Sequence, residues 1–466
     1  MNDSIYNSDH LADDEQLDEQ TQSSKTTGYT TQNLQPEKTL LVSLDIYGMT
    51  ALDRDEFYLL AQSAEADIVQ HLHIQRSRPE AKYLLGTGKA EEIAELIKHM
   101  AIDLVIFDQT LTPSQERNLE QLFKCRVIDR TGLILDIFAR RAKTHEGKLQ
   151  VELAQLKHLS TRLIRGFANL AQQKGGIGMK GPGETQLETD RRLIRTRIRQ
   201  LQDKLEKVRQ TRQQGRAARQ KAAMPTISFV GYTNAGKSTL FNYLSDSDVY
   251  AADQLFATLD PTLRRVEWAG LGSVILADTV GFIQNLQHDL VDSFHATLEE
   301  TLEADLLLHV IDASNPDYPV HIQAVEDVLK DIGATQRILQ VYNKIDASGE
   351  PAKVIYQDAD TPIKVYVSAK TSAGLDDLRS AIQQLIYGKV ETFQLKLDAQ
   401  RYGSFYHQLK KRQAIVQEQY DEQGQLLLTV KMTLKQLSLL LGQYHVDIQH
   451  VCDHATVQKL QQHTES

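Results

Sequence analysis

One stretch limits the possible folds more than any other. The apolar run Thr226-Ile227-Ser228-Phe229-Val230 leads into Gly231-Tyr232-Thr233-Asn234-Ala235-Gly236-Lys237-Ser238. The helical pattern Thr239-Leu240-Phe241-Asn242-Tyr243-Leu244 leads out. A G-x-x-x-x-G-K-S loop between a strand and a helix implies an α/β domain, with a mostly parallel sheet and helices on both faces. The loop's backbone N–H groups and the helix N-terminus then converge on one anion, which suits a triphosphate. In that setting Lys237 reaches the β- and γ-phosphates and Ser238 binds Mg²⁺.

A second motif names the base. Asn343-Lys344-Ile345-Asp346 follows the strand-like Ile338-Leu339-Gln340-Val341-Tyr342, about 105 residues after Lys237. A carboxylate there accepts from guanine N1–H and the exocyclic amine. Adenine offers neither, so a buried Asp346 would be left unpaired. Sites of that kind discriminate by ~10⁴ or more. Val367-Ser368-Ala369-Lys370 ends the next strand and backs up guanine O6 through backbone N–H. Together the motifs indicate GTP.

Two switch segments lie between. Asp278-Thr279-Val280-Gly281 ends the strand Ser273–Ala277. Asp278 is expected in the second shell of the Mg²⁺, and the Gly281 N–H at the γ-phosphate. In Phe256-Ala257-Thr258-Leu259-Asp260, Thr258 is the candidate second hydroxyl on Mg²⁺. Thr262 competes, and Thr258 is favoured because the segment is similar to switches of translation-factor-like GTPases. Lys237, Thr258, Gly281 and Asn234 are the candidate catalytic residues. Phe282 follows Gly281, where Ras-like proteins carry the glutamine that orients water. Phenylalanine cannot do that, so hydrolysis is expected to be slow until a partner or another residue supplies the missing group.

Asn234, fourth in the loop, has two readings. It resembles the asparagine with which some GTPases bind K⁺ beside the β- and γ-phosphates, where the ion replaces an arginine finger. Alternatively it tightens the loop by a side-chain-to-backbone hydrogen bond.

The chain has 466 residues, enough for three or four domains. Cys125 and Cys452 are its only cysteines, which argues against a disulfide framework or a cysteine metal site. The polar N-terminus and the lack of a long apolar run suggest a cytoplasmic protein. Residues 1–36 hold seven acids and one lysine and are expected to be a disordered acidic tail. Net charge is −10, yet residues 140–222 carry 21 Lys+Arg against 7 Asp+Glu, or +14, leaving −24 elsewhere. Basic charge concentrated in an acidic chain suggests a nucleic-acid face; a solvated helical surface is the alternative.

Residues 37–140 read as a small α/β domain, with strands near 39–44, 103–107 and 125–128 and helices near 54–71, 88–100 and 113–123. Gly86-Thr87-Gly88-Lys89-Ala90 fails as a second phosphate loop: Tyr83 stands where the first glycine belongs and Ala90 where the hydroxyl belongs. A glycine turn before a helix is the better reading. Residues 141–223 read as a basic antiparallel helical hairpin. Leu149, Leu153, Leu156, Leu163, Phe167 and Leu170 form one heptad seam; Leu187, Ile194, Ile198, Leu201, Leu205 and Val208 form the other. The glycine-rich tip lies at 174–183, on an arm of about 33 Å for some 22 residues per helix. Residues 224–388 are the GTPase domain. Residues 389–466 form a small α+β domain, with a hairpin turn at Asp421-Glu422-Gln423-Gly424 and no catalytic constellation.

With these motifs in hand, the chain resembles the HflX family of ribosome-associated GTPases. The likeness rests on Gly175-Gly176-Ile177-Gly178-Met179-Lys180-Gly181-Pro182-Gly183-Glu184-Thr185-Gln186-Leu187-Glu188-Thr189-Asp190, on Phe256–Asp260 and on Asp278–Phe282. The resemblance implies a monomeric cytosolic bacterial GTPase that binds the large ribosomal subunit and its rRNA. Family members split stalled or idle ribosomes under stress, and ribosomal contact would stimulate hydrolysis. A GTP-regulated assembly factor and an ATP-driven RNA-remodelling enzyme are the competing readings.

Overall fold

The computed structural model describes residues 37–46, 51–165, 186–221, 224–245, 255–268, 272–283, 295–358, 361–388, 390–398, 401–421 and 425–465. The acidic segment 1–36 and the glycine-rich tip 174–183 lie outside the described residues.

The N-terminal unit alternates β1 (Lys38–Asp45), α1 (Ala51–Ser63), β2 (Asp67–Gln75), α2 (Thr87–Met100), β3 (Leu104–Phe107), α3 (Pro113–Phe123), β4 (Arg126–Asp129) and α4 (Arg130–Arg141). Its four strands are all parallel, in the order β2-β1-β3-β4. Helices cover both faces, which is why Leu40 to Leu44 are buried without alternation. The helix expected over 54–71 is corrected: α1 stops at Ser63, Glu65 takes a left-handed φ of 59°, and 67–75 is a strand. The period-two spacing of Ile68, Leu72 and Ile74 outweighs the helical reading. Gly86 is the N-cap of α2, and Lys89 pairs with Glu92 at 2.6 Å.

The arm consists of α5 (His145–Arg165) and α6 (Gln186–Lys221). Arg197 grips both oxygens of Glu152 (2.7 and 3.1 Å), and Arg212 meets Glu146 (2.9 Å). Rising numbers on α6 therefore meet falling numbers on α5, so the helices are antiparallel. At 36 residues, α6 runs well past the length expected, to about 54 Å. Leu149 and Leu201 of the expected seams are buried.

The GTPase unit contains β5 (Thr226–Gly231), α7 (Lys237–Ser245), β6 (Thr262–Trp268), β7 (Gly272–Asp278), α8 (His295–Leu302), β8 (Leu306–Asp312), α9 (Tyr318–Asp331), β9 (Arg337–Asn343), α10 (Ile345–Ser348), β10 (Lys353–Tyr356), β11 (Pro362–Tyr366) and α11 (Leu375–Tyr387). Its sheet runs β10-β11-β9-β8-β5-β7-β6, parallel except for the edge strands β10 and β6. The C-terminal unit packs α12 (Gly403–Lys411), α13 (Leu434–Gln443), α14 (Ile448–Val451) and α15 (His454–Glu465) with β12 (Val390–Leu397), β13 (Ile415–Tyr420) and β14 (Leu426–Thr433). These strands form an antiparallel sheet in the order β12-β14-β13, and β13 pairs with β14; residues 422–424 of the expected turn lie outside the described residues.

The first three units share one core. Leu41, Phe57, Ile106 and Phe138 pack with Val151 and Ala154 of α5, and with Val230, Phe256, Phe282 and Leu307 of the GTPase unit. This shared core holds the N-terminal unit and the arm base against the phosphate loop.

Candidate functional site

The loop between β5 and α7 has the backbone its sequence demands. Gly231 (φ 149°) and Gly236 (φ 92°) take positive φ, which glycine adopts freely. They also allow close approach: an added Cβ would lie 2.3 Å from Val310 O at Gly231 and 2.3 Å from Asn343 Nδ2 at Gly236. Lys237 is buried and donates to the carbonyls of Gly231 (3.0 Å) and Tyr232 (2.8 Å). Burial pushes its ammonium down to about 8, against the pull of Asp278.

Ser238 Oγ, Thr258 Oγ1 and Asp278 Oδ2 converge. The two hydroxyls are 2.8 Å apart and donate to the carboxylate at 2.8 and 2.9 Å. Thr262 instead begins β6, in register with Asp278. Burial holds the Asp278 carboxyl above the usual range despite Ser238 and Lys237, and its Oδ1 is buried with no partner among the described residues. An all-oxygen cluster with an unsatisfied buried carboxylate oxygen fits a hard divalent cation such as Mg²⁺. Gly281 abuts the loop: an added Cβ would lie 2.7 Å from Thr233 Cγ2 and 3.0 Å from Lys237 Nζ. Thr233, Asn234, Gly236, Lys237, Ser238, Phe256, Ala257, Thr258, Thr279 and Gly281 line the same concavity.

Phe282 is buried in the core, and its backbone bonds to the loop through Gly231 O (3.1 Å) and Thr233 N (2.8 Å). Its side chain braces the site. Asn234 takes φ 61° and is exposed, and among the described residues its side chain makes no hydrogen bond. The loop-tightening bond offered as an alternative is therefore not part of this structure.

At the base motif, Asn343 bridges two loops, donating to Ala235 O (3.0 Å) and accepting from Ala369 N (3.0 Å). Ser368 Oγ donates to Asp346 Oδ1 at 2.6 Å. Lys344 (φ 65°) pairs with Asp312 at 2.8 Å. Ile345 is buried and Lys370 is exposed. Asp346 is also exposed, so the burial assumed for it is not a property of the loop; a bound base would have to supply it.

Several expected site residues turn their side chains elsewhere. The Phe256 ring packs edge-on against Phe138 (4.9 Å), and Leu259 and Val280 are buried in the shared core. Thr279 Oγ1 donates to Phe229 O. Tyr232 stacks on His321 (3.8 Å), and its hydroxyl donates to Glu56 of α1. Asp260 is corrected from the nucleotide site to the arm: it accepts from Lys143 N (2.8 Å), Thr144 N (2.9 Å) and Thr144 Oγ1 (2.6 Å).

A buried relay that no sequence motif marks stands behind the loop. Glu56, which accepts from Tyr232, pairs with Arg130, and Arg130 also pairs with Asp108 (2.8 Å). Burial raises the Glu56 and Asp108 carboxyls, although Arg130 draws both down. A tyrosine hydroxyl and a glutamate 176 positions apart leave no local pattern.

Three family profiles cover the chain in turn: a GTP-binding GTPase N-terminal region at 52–139, a GTP-binding GTPase middle region at 141–219 and a 50S ribosome-binding GTPase at 226–344. A protein named GTPase HflX from Escherichia coli K12 is 54% identical over 82% of this chain and 90% of its own length. A GTPase HflX from Caldanaerobacter subterraneus is 44% identical over 79% of this chain and 85% of its own. A GTP-binding protein from Sulfolobus solfataricus, solved with GDP, is 25% identical and superposes at a TM-score of 0.42, covering 75% of this chain and 98% of that one. No helix among the described residues is long and apolar enough to cross a membrane.

Proposed function

Because this chain belongs to the HflX family of GTPases, we propose that it binds the large ribosomal subunit in its GTP state and splits stalled or idle ribosomes. It is a GTP-binding protein that hydrolyses GTP. In the site we assign, Lys237 and the loop N–H groups hold the phosphates, and Ser238 and Thr258 hold Mg²⁺, with Asp278 behind them. Asn343, Asp346, Ser368 and Ala369 read the base. The Mg²⁺ would neutralise charge on the β- and γ-oxygens.

The observation that carries the ribosomal reading is the match to a 50S ribosome-binding GTPase profile, beside an arm of the right charge. On α6, twelve Lys and Arg stand against four Asp and Glu. Arg197, Arg209 and Arg212 are tied to acids of the protein, whereas Arg195, Arg199, Lys204 and Lys207 are exposed. The exposed set is the proposed rRNA contact. Glu in place of Lys174 and Lys180 at the tip should weaken ribosome binding and flatten its salt dependence while GTP affinity holds.

Intact ribosomes sedimented through sucrose with the protein and a GTP analogue should shift to separate subunits. If they sediment unchanged, splitting is wrong and subunit assembly becomes the role. Phe282 cannot polarise water, so ribosome contact is the proposed stimulus for hydrolysis. A K⁺ ion held by Asn234 is the proposed substitute for an arginine finger. Hydrolysis should then run faster in K⁺ than in Na⁺ at matched ionic strength, and Asn234→Ala should abolish the difference. Equal rates in both salts would exclude the ion.

A further inference from the structure

At both ends the switch segment 255–260 is fastened by parts of the chain outside the GTPase unit. Leu255 N–H donates to Ser63 Oγ at the end of α1 (3.1 Å). Phe256 lies on Phe138 of α4. Asp260 takes three hydrogen bonds from Lys143 and Thr144, just ahead of α5. Thr144 Oγ1 both donates to Asp260 and accepts from Gly147 N–H (2.9 Å), so one hydroxyl caps the arm helix and holds the switch. The carboxylate also sits at the positive end of α5, where negative charge is favoured. Gly147 leaves room for it: an added Cβ would lie 2.0 Å from Asp260 Oδ1 and 3.0 Å from Cγ. Two residues before Asp260, Thr258 Oγ1 stands beside Ser238 and Asp278.

We propose that Asp260 is a positioning residue: anchored on Lys143 and Thr144, it holds Thr258 ready for Mg²⁺ and the γ-phosphate, so the base of the arm sets the affinity for GTP. The proposal rests on the assignment of Thr258 as a Mg²⁺ ligand. A loop held in its binding conformation before the nucleotide arrives binds more tightly, because less of the protein must be reordered. GDP has no γ-phosphate to order this switch and gains little from the anchor. By thermodynamic linkage, whatever displaces the start of α5 must loosen GTP, and GTP must resist that displacement by the same factor.

The test uses the full-length protein and compares Mg²⁺-dependent binding of GTPγS and GDP in Thr144→Val, Gly147→Ala, Thr144→Ser and Thr258→Ala. Thr144→Val removes the shared hydroxyl. Gly147→Ala drives the carboxylate off its seat, yet alanine suits a helix better than glycine. Both should weaken GTPγS by about fivefold or more, with GDP affinity within about twofold of the parent. Thr144→Ser, which keeps the hydroxyl, should match the parent. General loss of structure would lower both affinities together with the melting temperature, whereas loss of the anchor alone should leave GDP affinity near that of the parent. If Thr258→Ala fails to separate GTPγS from GDP, the Mg²⁺ assignment is wrong and the proposal falls with it. If Thr258→Ala separates them but Thr144→Val and Gly147→Ala do not, or if all variants lose both nucleotides alike, Asp260 does not position the switch.

Discussion

Substituting Gly236 by alanine tests the bracing of the phosphate loop by the base loop. Two effects are separable. Backbone at φ 92° costs an L-residue ~1–2 kcal/mol. That cost is present with or without nucleotide and lowers the melting temperature. The second effect is the clash of the new Cβ with Asn343 Nδ2 at 2.3 Å. Asn343 must move, losing its bonds to Ala235 O and from Ala369 N. Two net hydrogen bonds at ~1 kcal/mol each, with a buried group left unpaired, come to about 2–3 kcal/mol. These bonds are already made without nucleotide, so their loss lowers stability too; it reaches binding because the phosphate loop and the base loop that they join must be brought back into register around the ligand, at up to the same cost. At 1.4 kcal/mol per tenfold, GDP affinity should drop by about thirty- to a hundredfold. Fluorescent GDP titration measures it. Gly333→Ala is the control: its φ is 75° and an added Cβ meets nothing within 4 Å, so it carries strain without the clash. Binding by Gly236→Ala within about threefold of the parent, or an equal loss in Gly333→Ala, would refute the reasoning.

Asp346→Asn should weaken GTP and admit xanthosine triphosphate, because an amide can donate to a carbonyl at base position 2; unchanged GTP affinity in a competition assay would remove Asp346 from base reading. Lys237 gives a pH signature: its ammonium titrates at about 8 in the free protein, and bound phosphate raises that value, so GTP binding takes up a proton above pH 8. Affinity should be flat below pH 7.5 and about tenfold weaker at pH 9, whereas Lys237→Arg should show no such slope. Arg130→Met strands two buried carboxylates, Glu56 and Asp108, at a cost of about 3–5 kcal/mol. Carboxyls whose folded pKa is raised withdraw stability as pH rises, so hydrogen exchange in α1 and α4 should show the defect in full at pH 7 and partly relieved near pH 5; a defect independent of pH would mean that the carboxylates do not cause it.

The portion of the site that could be read from sequence is the portion that is local. Strand, glycine loop and helix at 226–244 fix where phosphate can sit, because positive φ and convergent N–H groups are set within a few residues. Thr258 and Thr262 are hard to separate by sequence, since hydroxyl chemistry is the same at both; in the structure Thr258 Oγ1 bonds to Ser238 and Asp278, whereas Thr262 begins β6. The helix expected over 54–71 overran into β2 because a half-buried strand next to a helix offers only weak alternation. Phe256, Leu259, Asp260 and Tyr232 sit inside motif segments yet point their side chains at the N-terminal unit or the arm, and nothing in a motif records which members face the ligand. These four share a physical consequence. The GTPase unit does not close its own core around the switch and the loop; Phe138, Thr144 and Glu56 close it. A load applied to the arm therefore has a hydrogen-bonded route through Thr144 and Asp260 toward Thr258, and the N-terminal unit has a second one through Glu56 and Tyr232 to the phosphate loop. On the ribosome contact proposed for that arm, binding would be sensed at Thr258 and the phosphate loop without any residue of the partner entering the site.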